Sequence, residues 1–164
     1  MVLTVQAAIW FLPFALPICI WVAWNDMAFM KIPNKAVVAL IAVFLVIGLV
    51  AIPLAEYPWR LTHLVVIVVI GFALNMIGAI GAGDAKFAAA MAPFVPLGDL
   101  RLMLILFATV LVAAYATHRL FRAVPAMRSR TAHWKSWTTR DFPMGLALGS
   151  TLAFYLGMGI FYGS

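Results

Sequence analysis

Two of the five carboxylates in this 164-residue chain, Asp26 and Asp84, stand where an acid is expensive. An ionisable group at membrane depth costs roughly 2.5 to 3.5 kcal/mol on insertion scales, so an acid retained there is a candidate for function. Asp84 sits in GAIGAGDAKFAAAM, Gly78 to Met91, behind a long apolar run interrupted only by Asn75. Gly78, Gly81 and Gly83 remove side chains on the approach to it, which admits another helix or an extended peptide and permits a local helix break. Ordinary small-residue packing is the competing explanation, and GLALG, Gly145 to Gly149, illustrates it, with glycines four apart and no acid between them. Asp26 ends the tryptophan-rich WVAWND and precedes MAFMKIPNK, where a cap on the next segment is the alternative. If the two acids converge, repulsion and partial desolvation make them share one proton and titrate as a coupled unit. The ionised member then takes a proton from water attacking a peptide carbonyl, while the protonated member donates to the carbonyl oxygen or the leaving amine. That is aspartic-protease chemistry, needing no metal, redox cofactor or covalent acyl-enzyme.

The other three acids have simpler explanations. Glu56 in PLAEYP and Asp99 in PLGD read as solvated turn residues near Arg60 and Arg101, and Asp141 follows Arg140 in a basic loop. The single cysteine, Cys19, excludes internal disulfides and a thiolate zinc site and reads as a small apolar filler.

The elements that must position Asp26 and Asp84 are membrane helices. Hydrophobic residues make up 66% of the chain and charged ones 10%, with a mean hydropathy of +1.10, well above the range of soluble domains. The fold class is therefore all-α, a polytopic integral membrane protein. Apolar runs suggest six helices, at about Val5 to Trp24, Ala36 to Ile52, Leu61 to Ile80, Lys86 to Val95, Leu102 to Thr117 and Phe142 to Phe161. The fourth is too short to cross alone and must extend back through Gly83 and Asp84 or tilt. The first run lacks a basic flank and contains Pro13 and Pro17, so it reads as a retained helix rather than a cleaved signal.

The net charge of +6 is local: eight of the fourteen Lys, Arg and His residues fall between His118 and Arg140. Such clustering points to membrane orientation rather than to nucleic acid. Placing positive loops in the cytoplasm puts the first loop, the Asp84 segment and the basic loop there, with both termini outside. Residues 1–164 then form a single domain in the cytoplasmic membrane, with a basic cytoplasmic loop at about 118–141. That loop, with Trp134 and Trp137, could bind a partner or lie against the headgroups of membrane lipids, and orientation alone is enough to explain it.

GAGDAK, Gly81 to Lys86, resembles the Gly-x-Gly-Asp-x-Lys motif (the GxGD motif) of prepilin peptidases. DMAFMKIPN, Asp26 to Asn34, resembles that family's first catalytic segment, with Pro33 and Asn34 in its Ile-Pro-Asn-like turn. FPMGLALG, with Pro143, Gly145 and Ala147, resembles the opening of its final helix. The resemblance implies Asp26 and Asp84 as the catalytic pair, and Gly81, Gly83, Lys86, Pro33 and Asn34 as substrate-binding or motif-supporting residues. It also implies cleavage of a leader from type IV prepilin-like substrates at the cytoplasmic membrane face. The chain lacks the cysteine-containing domain of larger members that methylate the new N-terminus, so methyl transfer does not carry over. Its compact form is similar to peptidases of Flp-type tight-adherence pili and to archaeal preflagellin peptidases. After Asp26 it has the apolar MAF where basic residues are common in the family. Presenilin-like proteases share Gly-x-Gly-Asp, but here the other acid lies in WNDM rather than beside a tyrosine.

Lys86 could steady the carboxylate, bind substrate or snorkel to headgroups, and Asn34 reads more simply as a turn residue. The rival from another class is a small proton-coupled transporter or assembly subunit using Asp84 as a relay. It calls for repeated halves and deeper polar groups, and neither is visible.

Overall fold

In the computed structural model, which describes residues 1–164, each helix begins and ends on a local signal. Thr4 opens α1 (Val5–Phe29), its hydroxyl accepting the Ala7 N–H at 3.2 Å. α1 closes at Met30, which adopts the left-handed conformation at φ 54° while its N–H bonds to the Asp26 carbonyl. Pro33, at a fixed extended φ, starts α2 (Asn34–Ala51) directly afterwards. Pro58 lies in the first turn of α3 (Tyr57–Met76), where a missing N–H is harmless. α3 is closed by Gly78 at φ 74°, with the Asn75 amide donating to the Ile80 carbonyl at 2.8 Å. Asn75 thus ties a turn. The chain doubles back into α4 (Ala82–Met91), followed by α5 (Leu100–Ala123), the short α6 (Pro125–Arg130) and α7 (Met144–Tyr162).

Five helices are long and apolar enough to cross a membrane, and the fourth of the six expected is not among them. α4 does begin four residues before the expected Lys86, taking in Gly83 and Asp84, but at 10 residues it is about 15 Å long. It packs instead as a short antiparallel partner of α3, continued by a 3-10 turn over Ala92–Phe94. Gly71 makes this possible, because a Cβ there would lie 3.0 Å from the Ala85 Cβ. At the far end the Arg60 guanidinium reaches the Pro93 carbonyl at 3.5 Å and the His63 ring lies 3.1 Å from that of Val95.

The core lies where α1, α2, α4 and α7 meet. Phe11 packs on Phe44 and Phe94 with ring centroids 5.8 and 4.8 Å away, and Phe44 stacks on Tyr57 at 5.5 Å. Cys19 is buried among them, as the apolar filler expected. α3 and α5 form the rim: α3 buries only Arg60 and Gly71, and α5 only Val110 and His118. Their exposed Val, Leu, Ile and Phe face what a bilayer would supply as acyl chains.

Asp99 is not the solvated turn residue its sequence suggests. It is 4% exposed, and its carboxylate accepts the Val2 and Leu3 N–H groups at 2.7 and 2.9 Å and the Tyr155 hydroxyl at 2.7 Å. The preceding 3-10 turn, Leu97–Asp99, aims it inward at an N-terminal segment whose amides have no helical acceptor. Glu56 does pair with Arg60, at 3.2 Å, although Arg60 itself is buried. The Ser164 N–H donates to the Leu3 carbonyl, so both termini share one end of the bundle with the α4–α5 turn. Asp26, the α1–α2 turn and the start of α4 occupy the other.

Candidate active site

Asp26 lies within the last turn of α1 and is 5% exposed, so it does not cap the following segment, whose N-cap is Pro33. The carboxylate points at the start of α7, where the Gly145 N–H donates to Oδ2 at 2.7 Å. Pro143 ends the loop and starts α7 without a side-chain cap, leaving first-turn amides free to take an acceptor from elsewhere. Asp26 is that acceptor, placed at the positive end of the helix dipole.

Asp84 occupies the first turn of α4, outside the five spanning helices, and is half-buried. Its carboxylate folds back toward the N-cap residue Gly81, the position that the acid of a capping box takes. A Cβ on Gly81 would lie 2.7 Å from Asp84 Oδ2, so the missing side chain is the space the carboxylate uses. Burial first, and then the charge of Asp26, push the Asp84 carboxyl up to about 6, with the Gly81 N–H pulling the other way. Asp84 therefore lies within electrostatic reach of Asp26, far from it in sequence, at one end of the bundle. No third His, Cys, Asp or Glu joins them in a metal-binding group.

The remaining candidates line the same end. Gly83 is half-buried, and a Cβ on it would lie 3.3 Å from the Ile32 Cβ, so it seats α4 on the α1–α2 turn. Pro33 is half-buried and Asn34 exposed beside it, and Asn34 Oδ1 lies 3.4 Å from Lys86 Nζ. That contact joins the turn after Asp26 to the helix carrying Asp84. Gly145 is the one contributor whose role was missed, since the sequence treats GLALG as packing. For Gly149 that is correct: a Cβ there would lie 2.7 Å from the Cys19 carbonyl oxygen. The Pro-x-Gly helix start was the available signal for Gly145.

A buried carboxylate and a second, half-buried carboxylate of raised pKa beside the exposed Gly81 suit the polarisation of a water molecule. No curated protein and no solved structure matches this chain significantly. The profile of the type IV leader peptidase family matches residues 13–117, well over half the chain, including both acids and the Ile-Pro-Asn turn. The protein, an all-α polytopic membrane protein, belongs to the type IV leader peptidase family.

Proposed function

We propose that this peptidase is an aspartic endopeptidase that removes the leader of type IV prepilin-like precursors, with Asp26 and Asp84 as its catalytic pair. The supporting observation is their placement at one end of the bundle: Asp26 is held by the Gly145 N–H, and Asp84, in the first turn of α4, lies within range of the Asp26 charge. One shared proton gives the pair an acid and a base together. The ionised carboxylate orients and deprotonates a water as it attacks the scissile carbonyl. The protonated one donates to the carbonyl oxygen, and the proton taken from water then passes to the leaving amine.

In this reading the acid-bearing end faces the cytoplasm and both termini lie outside, as the basic loops favour. The precursor's apolar helix docks laterally in the bilayer while its polar leader stays in the cytoplasm, and the extended cleavage region passes over Gly81. The test is to incubate purified protein in detergent with candidate precursors and map new N-termini. Asp26→Asn and Asp84→Asn should each abolish cleavage, and persistence of cleavage in either would end the two-acid mechanism.

A further inference from the structure

The charge excess of the chain is concentrated outside the site. Arg119, Arg122, Arg128, Arg130, Lys135 and Arg140 lie in one stretch with no acid among them, and the other five Lys and Arg residues equal the five acids in number. The one ion pair, Arg60 with Glu56, lies at the opposite end of the bundle. The stretch begins after residue 117, where the family match ends.

It is also a built surface. α5 has 24 residues, about 36 Å, so its last turns outrun a hydrocarbon layer of about 30 Å and emerge among headgroups with α6. Leu120 and Phe121 at the end of α5, Val124 at the break and Met127 in α6 are 68, 45, 42 and 42% exposed, and they follow the exposed Ile105 and Val112 of α5. The charges are held beside these apolar side chains. The Arg119 guanidinium lies 5.0 Å from the Tyr115 ring centre and reaches the Arg140 carbonyl, and Arg122 reaches the Thr139 carbonyl at 3.3 Å. Trp137 stacks on His118 at 4.9 Å and on Trp134 at 5.6 Å, which fixes the loop. Between loop and helix an open concavity of about 380 Å³ is lined by Pro125, Arg128, Ser129, Trp137 and Thr138.

We propose that this surface binds the phosphate headgroups of anionic phospholipids, with Arg128 and Arg130 at the phosphate level and Leu120, Val124 and Met127 among the upper acyl carbons. Charge complementarity selects that occupant: six uncompensated cations border exposed apolar side chains at the end of a membrane-spanning helix. Tryptophan belongs at the same depth. The inference does not rest on the peptidase reading.

The full-length protein, reconstituted in phosphatidylcholine vesicles with trace spin-labelled phosphatidylglycerol or phosphatidylcholine, reports the motionally restricted fraction of each label by electron paramagnetic resonance. The parent should favour the anionic label by about threefold or more. Arg128→Gln with Arg130→Gln should bring the ratio close to one, whereas Arg101→Gln at the other end should leave it unchanged. Salt at about 0.5 M should reduce the parent's preference, because exposed charges are screened. Equal restriction of the two labels by the parent would overturn the proposal and leave an acidic protein as the occupant. So would an undiminished preference in the double variant. The double variant should still cleave a precursor in detergent, so failure of this inference is distinguishable from failure of the peptidase reading.

Discussion

The Gly145 N–H donates to Asp26 Oδ2 at 2.7 Å across 119 residues of sequence, tying the first helix to the last at the candidate site. A Cβ at position 145 would lie 2.9 Å from the Asp26 Cβ and 3.0 Å from Oδ2. Gly145→Ala keeps the amide but pushes the carboxylate aside, and a misplacement of about 1 Å costs on the order of 100-fold in rate. Leader cleavage should fall by one to two orders of magnitude while the melting temperature drops by only a few degrees, about 1–2 kcal/mol of overpacking. Parent-like cleavage would show that this hydrogen bond does not position Asp26.

The two glycines of the Gly81–Asp84 stretch should differ in what they affect. At Gly81 the added methyl meets only the Asp84 carboxylate, which can rotate away, so Gly81→Ala should cost little stability and much activity. At Gly83 it meets the Ile32 Cβ at 3.3 Å, a packing contact at the α1–α2 turn. Gly83→Ala should therefore destabilise by about 1 kcal/mol and depress cleavage less than Gly81→Ala does. Thermal melts and cleavage rates of both variants decide the order.

At the opposite end, Tyr155→Phe removes the hydroxyl that donates to Asp99 but leaves two backbone donors in place. Loss of a buried hydrogen bond to a charged group costs about 1.5–3 kcal/mol. Denaturation in detergent should show that loss, with the cleavage rate per folded molecule unchanged because the network lies away from Asp26 and Asp84. A large drop in that rate would mean the two ends are coupled.

What was legible in the sequence follows from which forces act locally. The apolar runs exposed the long helices, because bilayer length and backbone satisfaction leave few alternatives. Asp26 and Asp84 stood out because an acid in such surroundings is costly. The short α4 was half legible: its apolar run was visible, but its start depended on the turn at Gly78 and on Gly71 receiving Ala85, a contact between distant residues. Asp99 was misread because a Pro-Leu-Gly-Asp turn looks solvated until Val2, Leu3 and Tyr155 fold over it. Gly145 was hidden for the same reason, since nothing near it in sequence says which side chain will use its amide.

The raised pKa of Asp84 links stability to activity. Its carboxyl is pushed up to about 6 from an ordinary value of 3.8, so between these values the folded protein holds a proton that the unfolded chain releases. Stability from this group is complete below about pH 3.8 and is lost as pH rises through about 6, because the unfolded state binds fewer protons over that window. Asp84→Asn has no charge to desolvate and should abolish that part of the loss. Its melting temperature should differ less between about pH 5 and about pH 8 than the parent's does, and should exceed the parent's at the higher pH. The same substitution should abolish cleavage, since the pair loses a member able to exchange the shared proton. In the parent, cleavage should decline on the alkaline side as that proton leaves, with a descending limb beginning near pH 6. A parent that grows more stable from about pH 5 to about pH 8, with a slope that Asp84→Asn leaves unchanged, would mean that Asp84 is ionised and solvated rather than paired with Asp26.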